Sequence, residues 1–475
     1  MALLPRRRHG VPVARRGLRV ARAGGDALRL AARAGRHPRL PRARRRSRAL
    51  RPARRAVGRR RGRAGRRLGD DPGRRAARAA ARPVRVGPRG GAAARARPVT
   101  RPRIVVHLAH EQDPVAWRAR YAAGETLDRT PYGYDLAAGT VDLAWSVSHR
   151  ERPSVARVRR ALAARLGTDV VHAWRNRALL GSADVVWTHT EREHLAVGLV
   201  RATLPRRRRP AVLAQSVWLW DRWDDLGRAR RRLFAAVLRG HAVEAVHSDV
   251  NRRVALDRVP GRRVVLVPFG TAPATGEVPA AGTDGPGTTP EVLAVGNDRD
   301  RDWDVLRAAL DLLPGVTARV ASRSAAAARV AVPGRVDVAP ATGRAELARL
   351  YAGCRVVVVP LRENRHASGA TACVEAMAAG RALVVTDAGG VRDYVAGTRA
   401  RLVAPHDAAA LAEAVRRALG PGEATSAADV RARGLRQEDY VARYVLLTRA
   451  LVAQAEIPAA VSSFEPVAEE AGLAP

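Results

Sequence analysis

From Arg103 onward, short apolar runs alternate with stretches whose apolar residues recur every three to four positions. The runs at 104–108, 183–188, 211–214 and 264–268 read as buried strands, and 154–166, 191–203 and 226–240 read as amphipathic helices around them. Residues 272–290 hold Ala, Gly, Pro and Thr without periodicity, a linker composition. The alternation then restarts. Strands are predicted at 292–295, 318–321, 336–339, 356–359, 383–386 and 402–404, with helices at 302–312, 343–352, 371–379 and 407–419. A last helix is predicted at 436–453. Fully apolar strands separated by helices belong to parallel sheets covered on both faces. The expectation is therefore an α/β chain with two facing Rossmann-like domains, 99–271 and 291–425, and ligands bound outside the carboxyl ends of the strands. Residues 426–455 should carry a helix that packs back toward the first domain, and 456–475 should be a disordered tail.

Composition changes the picture at the start of the chain. The net charge is +42, and all 86 basic residues are arginine. Residues 1–100 hold about 33 of them against three acids and no Phe, Trp or Tyr, so about +30 of the charge sits there. Such a segment cannot bury enough apolar surface to offset its ordering entropy, and 1–98 is expected to be disordered. GC-rich bacterial coding accounts for arginine without lysine, and Val99 stands where a GTG start codon would place an initiator. The charge is thus weak evidence for nucleic-acid binding, and no nucleic-acid partner is expected. With two cysteines, Cys354 and Cys373, there is no disulfide framework. No run of 18 apolar residues suggests a membrane span. The expected location is cytoplasmic, peripheral at most to the inner face of the plasma membrane.

The chemistry concentrates between Val356 and Tyr394. An apolar strand stops at Pro360, and a polar loop follows, ending in Ser368-Gly369-Ala370-Thr371. A helix begins there and stops near Gly380. Free backbone N–H groups at a helix start favour a phosphate or diphosphate. Glu375, one turn beyond Thr371, is placed to accept ribose hydroxyls. The following strand ends at the paired Gly389 and Gly390, which permit close approach to a ligand.

These motifs resemble the donor domain of retaining glycosyltransferases of family 4, which have the GT-B fold. Glu375-Ala-Met-Ala-Ala-Gly380 matches the family's Glu-Ala-Met-Ala-x-Gly helix, and 383–390 its strand and Gly-Gly turn. Gly296, Asn297 and the segment from Arg301 to Leu306 resemble its Val-Gly-Arg … Lys-Gly-x-x-x-Leu segment. The resemblance implies a nucleotide-sugar donor, transfer with retention, and no bound cation or cofactor. It implies that Glu375 binds the ribose, that Gly369 and Thr371 contact the diphosphate or sugar, and that Arg301 neutralises the leaving diphosphate. Arg301 and Glu375 are the candidate catalytic residues, with Gly296, Asn297, His366, Ser368, Gly369, Thr371, Gly389 and Gly390 completing the donor set. The sequence departs from the family at Ala367, where the first of two paired glutamates would fall, and at Asn297, where a basic residue would. Glu363 and His366 are the available substitutes for the missing glutamate.

Acceptor-side candidates are His110, His189, Gln215 and Trp218, each just after a strand-like run. Trp218, Trp220 and Trp223, interleaved with Asp221, Asp224 and Asp225, suit either carbohydrate stacking or core packing. The expected acceptor is an unidentified glycan, lipid-linked or small molecule, with Arg206–Arg209 as a candidate contact with anionic membrane; no obligate protein partner is inferred. No residues stand at metal-ligand spacing. Other readings stay open: a nucleotide-sugar epimerase on the same fold, a nucleic-acid binder, or a non-catalytic nucleotide- or sugar-binding protein. If the resemblance holds, transfer activity measured in EDTA should equal that without it, and complete loss would contradict a metal-independent site.

Overall fold

The computed structural model describes residues 101–272 and 290–473. The expectations for 1–98 and for most of the 272–290 linker lie outside the described residues. Two six-stranded sheets, each wholly parallel, form the two halves. The first contains β1 (Arg103–His107), β2 (Asp142–Trp145), β3 (Val185–Thr188), β4 (Ala211–Gln215), β5 (Val243–Val246) and β6 (Val264–Leu266), in the order β2-β1-β3-β4-β5-β6. The second contains β7 (Val292–Val295), β8 (Ala318–Ala321), β9 (Val336–Val338), β10 (Val356–Val359), β11 (Ala382–Thr386) and β12 (Arg401–Val403), in the order β12-β11-β10-β7-β8-β9. The strands of β10, four buried valines, and β11, buried throughout, are covered on both faces, as their unbroken apolar runs require. The arrangement is a GT-B-like α/β fold.

Two strands were not anticipated. β2 is a short edge strand that reads Asp-Leu-Ala-Trp, without an apolar run. β5 reads Val-Glu-Ala-Val, and its Glu244 is buried inside the first half. That carboxylate accepts from Trp220 Nε1 at 2.9 Å and pairs with Arg262, so a satisfied ion pair interrupts the apolar pattern without interrupting the strand.

The C-terminal residues complete the first half. The helix Gln437–Ala453 places Tyr440, Tyr444 and Leu447 in the core cluster that contains Ile104, Tyr134 and Trp187. Arg443, fully buried on this helix, donates to the carbonyls of Gly434, Ser463 and Glu465 at 2.8–3.0 Å. The tail therefore departs from expectation: Val461, Val467, Ala471 and Leu473 are buried in the same cluster. Asp439 holds it, accepting from the amides of Val467 and Ala468 at 2.9 and 3.1 Å. Small residues and isolated apolar positions hide this order from any periodicity. Among the described residues no helix is long and apolar enough to cross a membrane.

Deleting residues 457–475 would expose this part of the core and leave Arg443 without two acceptors. Chemical denaturation should show a loss of several kcal/mol, in the range of a large core truncation; an unchanged midpoint would contradict the packing described.

Candidate active site

The carboxyl ends of β3, β4 and β5 face those of β7 and β10 across a cavity of about 360 Å³. The first half contributes His189, Gln215, Trp218 and His247, and the second Asn297, Arg301 and the loop from His366 to Thr371. Of the residues singled out in the sequence, Asn297, Arg301, His366, Ser368, Gly369, Thr371, His189, Gln215 and Trp218 meet here.

Arg301 is 5 % exposed, and its polar partners are neutral: Nε donates to the Val295 carbonyl at 3.2 Å and Nη1 to Ser368 Oγ at 3.1 Å. Burial pulls its pKa down, with the nearby Asp298 opposing that shift. A buried guanidinium whose bonded partners carry no charge has the capacity to pair with an anion. The N-terminus of the helix Ala370–Ala378 adjoins it, with Gly369 at φ 86 as the residue before the helix. A Cβ on Gly369 would lie 2.6 Å from the Val359 side chain and 3.2 Å from Arg301 Nη1, so glycine is what lets the loop close over the cation.

His366 joins the two halves. Nδ1 lies 3.0 Å from Asp221 Oδ2 of the first half, and Nε2 lies 3.2 Å from Asp298 Oδ2 of the second. Burial alone would depress its pKa, but hydrogen bonds and charge from the two aspartates outweigh that and raise it to about 9. The imidazolium therefore donates from both nitrogens. In turn, despite burial, His366 holds Asp298 well below the usual carboxylate range. Arg365 adds to the junction: its amide donates to Asp221 Oδ1 at 2.7 Å and Nη1 to the Trp220 carbonyl at 2.6 Å, while Ser248 Oγ donates to its carbonyl.

The Asp298, Asp300 and His366 ligand atoms lie within 4.8 Å of one another, a grouping that sequence spacing did not suggest. Both ring nitrogens of His366 are taken up by Asp221 and Asp298, so in this structure the cluster is joined as an ion-pair network.

Several candidates fall elsewhere. Glu375 is not on the cavity wall: it is 4 % exposed, with Oε2 accepting from Tyr351 Oη at 2.6 Å, whereas Thr371 one turn earlier is exposed. Burial, with the charge of Asp128, raises its pKa to about 7. A segment of the first half approaches it: Leu127 packs in the cluster that holds Tyr351, and the Gly124 carbonyl accepts from the Arg344 amide at 2.8 Å. Asp128 itself is raised to about 6 by burial, Asp135 adding to the shift. The paired glycines serve protein contacts: a Cβ on Gly389 would meet the His366 carbonyl at 2.2 Å, and one on Gly390 would meet Ser248 at 2.1 Å. Gly296 lies under Arg301, where a Cβ would sit 2.2 Å from Nε. Asn297 Oδ1 accepts from the Arg323 amide at 2.6 Å.

On the acceptor side, His110 lines a separate cavity with His107 and His172. Gln215 is committed to Tyr440, Tyr444 and the His189 carbonyl. His189 stacks on Tyr132 at 3.3 Å, and burial keeps it neutral by holding its pKa far below 6.5. Trp220 and Trp223 belong to the core, 4.9 Å apart, so only Trp218 of the tryptophan cluster reaches the cavity. Sequence reasoning missed His247, whose Nδ1 lies 2.8 Å from the Val267 carbonyl while Nε2 is buried without a partner. With a pKa lowered to about 4 by burial, it is neutral, and donation from Nδ1 leaves Nε2 as an acceptor. No local motif marks it, because its position depends on β5, itself illegible in the sequence.

Residues 290–420 match the family model described as Glycosyl transferases group 1. No curated protein matches the chain. Among solved structures, a sucrose-phosphate synthase from Thermosynechococcus elongatus is similar at 19 % identity and TM-score 0.55, covering 74 % of this chain and 100 % of that one. The HepE protein of Anabaena, in complex with UDP and glucose, is similar at 13 % identity and TM-score 0.51, with 74 % and 100 % covered. A UDP-forming α,α-trehalose-phosphate synthase from Burkholderia vietnamiensis is similar at 15 % identity and TM-score 0.50, with 74 % and 99 % covered. These likenesses concern the fold.

The His366 junction predicts a pH dependence. Its pKa in the folded protein, about 9, exceeds the unfolded value near 6.5, so its stabilisation is complete below about pH 6.5 and is lost as pH rises through 9. Between those limits unfolding free energies should fall by about 3 kcal/mol more in wild type than in His366→Gln; parallel profiles would contradict the assignment.

Proposed function

We propose that the chain is a glycosyltransferase that moves a sugar from a nucleotide-sugar donor, with retention of configuration, to a carbohydrate or lipid-linked acceptor. The observation that carries this reading is Arg301: a buried cation with neutral bonded partners, at a helix start, in a cavity between two α/β halves. The match of 290–420 to the glycosyltransferase model supports it; the retention rests on the family resemblance alone. A nucleoside diphosphate leaves as an anion, and Arg301 with the free amides at 371–372 would stabilise the charge that develops on it. Approach of the two halves around the cavity excludes water, so that the sugar passes to the acceptor and not to solvent. His189, His247 and Trp218 form the wall on the acceptor side. No cofactor or metal enters this scheme.

Contact between Glu375 and a ribose would require Tyr351 and the segment around Leu127 and Asp128 to yield, because they cover the carboxylate in the structure. Ribose hydroxyls would then replace the Tyr351 hydroxyl as donors. In the ligand-free protein the buried carboxylate is costly: its folded pKa of about 7 exceeds the unfolded 4.5, so stability declines as pH rises through that window.

A thermal-shift screen of the full chain against UDP, GDP, ADP, dTDP and CDP, with and without common sugars, tests the reading. One nucleotide at 100 times its dissociation constant should add about 2.7 kcal/mol of stability. Arg301→Gln should remove that shift. Glu375→Gln at pH 8 should unfold later than wild type without ligand, by up to about 3 kcal/mol, and bind the nucleotide more weakly. Absence of any nucleotide-dependent shift would overturn the proposal, and an epimerised donor formed without an acceptor would favour the epimerase.

A further inference from the structure

The helix Pro153–Leu166 is unusual in how little of it is covered, since among its residues only Arg159 and Ala163 are buried. Val155, Val158, Leu162 and Leu166 are 41, 67, 39 and 39 % exposed. Their spacing places all four within one narrow stripe of the helix. Arg165 is exposed beside them, Arg157 and Arg160 are exposed on the other flanks of the helix, and Arg150 and Arg152 precede it. The only acid in this stretch, Glu151, is buried and paired with Arg159 and Arg175. A second basic helix, Arg228–Arg239, adjoins the end of the first: Arg230 Nη2 donates to the Arg165 carbonyl at 2.7 Å. It adds exposed Arg228, Arg230 and Arg232, the half-exposed Leu233, and no acid.

We propose that this face docks on an anionic lipid bilayer, with the four aliphatic side chains entering the interface and the arginines meeting the headgroups. An exposed aliphatic stripe flanked by arginine is the composition of an interfacial helix. A second copy of the chain is a poorer occupant, because it would set two arginine-rich faces against each other. The Arg206–Arg209 loop is poorer too. It carries no exposed aliphatic residue and precedes β4, at the amino ends of the strands and away from the cavity at their carboxyl ends. The same helix also borders an outlet to the site, on the flank of Ala163, Ala164 and Gly167. A groove of about 810 Å³ beside both helices is lined by Gly167, Arg230, Leu226 and Trp218 and reaches Asn297 and Asp298 at the donor cavity. An acceptor carried in the bilayer would enter by this groove; that use, unlike the docking, rests on the glycosyltransferase reading.

The test uses the full chain with Val158→Cys labelled by an environment-sensitive fluorophore, Cys354 and Cys373 being buried. Vesicles of phosphatidylglycerol with phosphatidylcholine should shift the emission to the blue, and phosphatidylcholine alone should not. Val158→Asp/Leu162→Asp should weaken vesicle partitioning by roughly tenfold or more, from the lost burial of two aliphatic side chains. Sedimentation with vesicles but no blue shift would assign binding to other arginines and overturn the proposal. A blue shift that grows with protein concentration without lipid would do so in favour of a second copy. The nucleotide-induced thermal shift of the double variant reports separately on the donor site.

Discussion

A protonated histidine shared by two aspartates fixes the relation between the halves of this protein. His366 sits in the loop after β10 and bonds Asp221 of the first half and Asp298 of the second. The same loop leads into Ser368, which bonds Asp298 and Arg301, and then into Gly369 and the helix start. The surroundings of Arg301 and the approach of the two halves are therefore set by one short segment. The glycines around it are explained by this crowding: Gly389 and Gly390 make room for the loop and for Ser248. Charge in the cavity is arranged so that Asp298 and Asp221 are occupied by His366, which leaves Arg301 with neutral partners.

Much of the architecture was legible because buried parallel strands are unbroken apolar runs. β10 and β11 announce themselves in this way, and the helix start after Ser368-Gly369 follows from its small residues. What the sequence hid has physical reasons. β5 contains a buried ion pair, which no apolar pattern represents, and with it went His247. The ordered tail depends on one carboxylate, Asp439, and on scattered small residues. Asp221 stood out only as part of a tryptophan-rich cluster, and its partner is 145 residues away in the chain.

The site shows the same division. Local motifs brought Ser368, Gly369 and Thr371 to the cavity along one loop and helix start after β10, and Arg301 by the turn after β7. They did not place Glu375, whose exposure depends on a distant segment of the first half. The structure thus holds a partly buried acid, Asp128, and a buried one, Glu375, with pKa values raised to about 6 and 7. Buried carboxylates without cationic partners are costly, and a ligand that supplies hydroxyl donors relieves that cost.

The most direct measurement is a crystal structure of the full chain grown with the nucleoside diphosphate that stabilises it most. The account predicts diphosphate oxygens within about 3 Å of the Arg301 guanidinium and of the amides at the start of the helix Ala370–Ala378. A nucleotide bound elsewhere, such as beside His107 and His172, with Arg301 still bonded only to Val295 and Ser368, would contradict it.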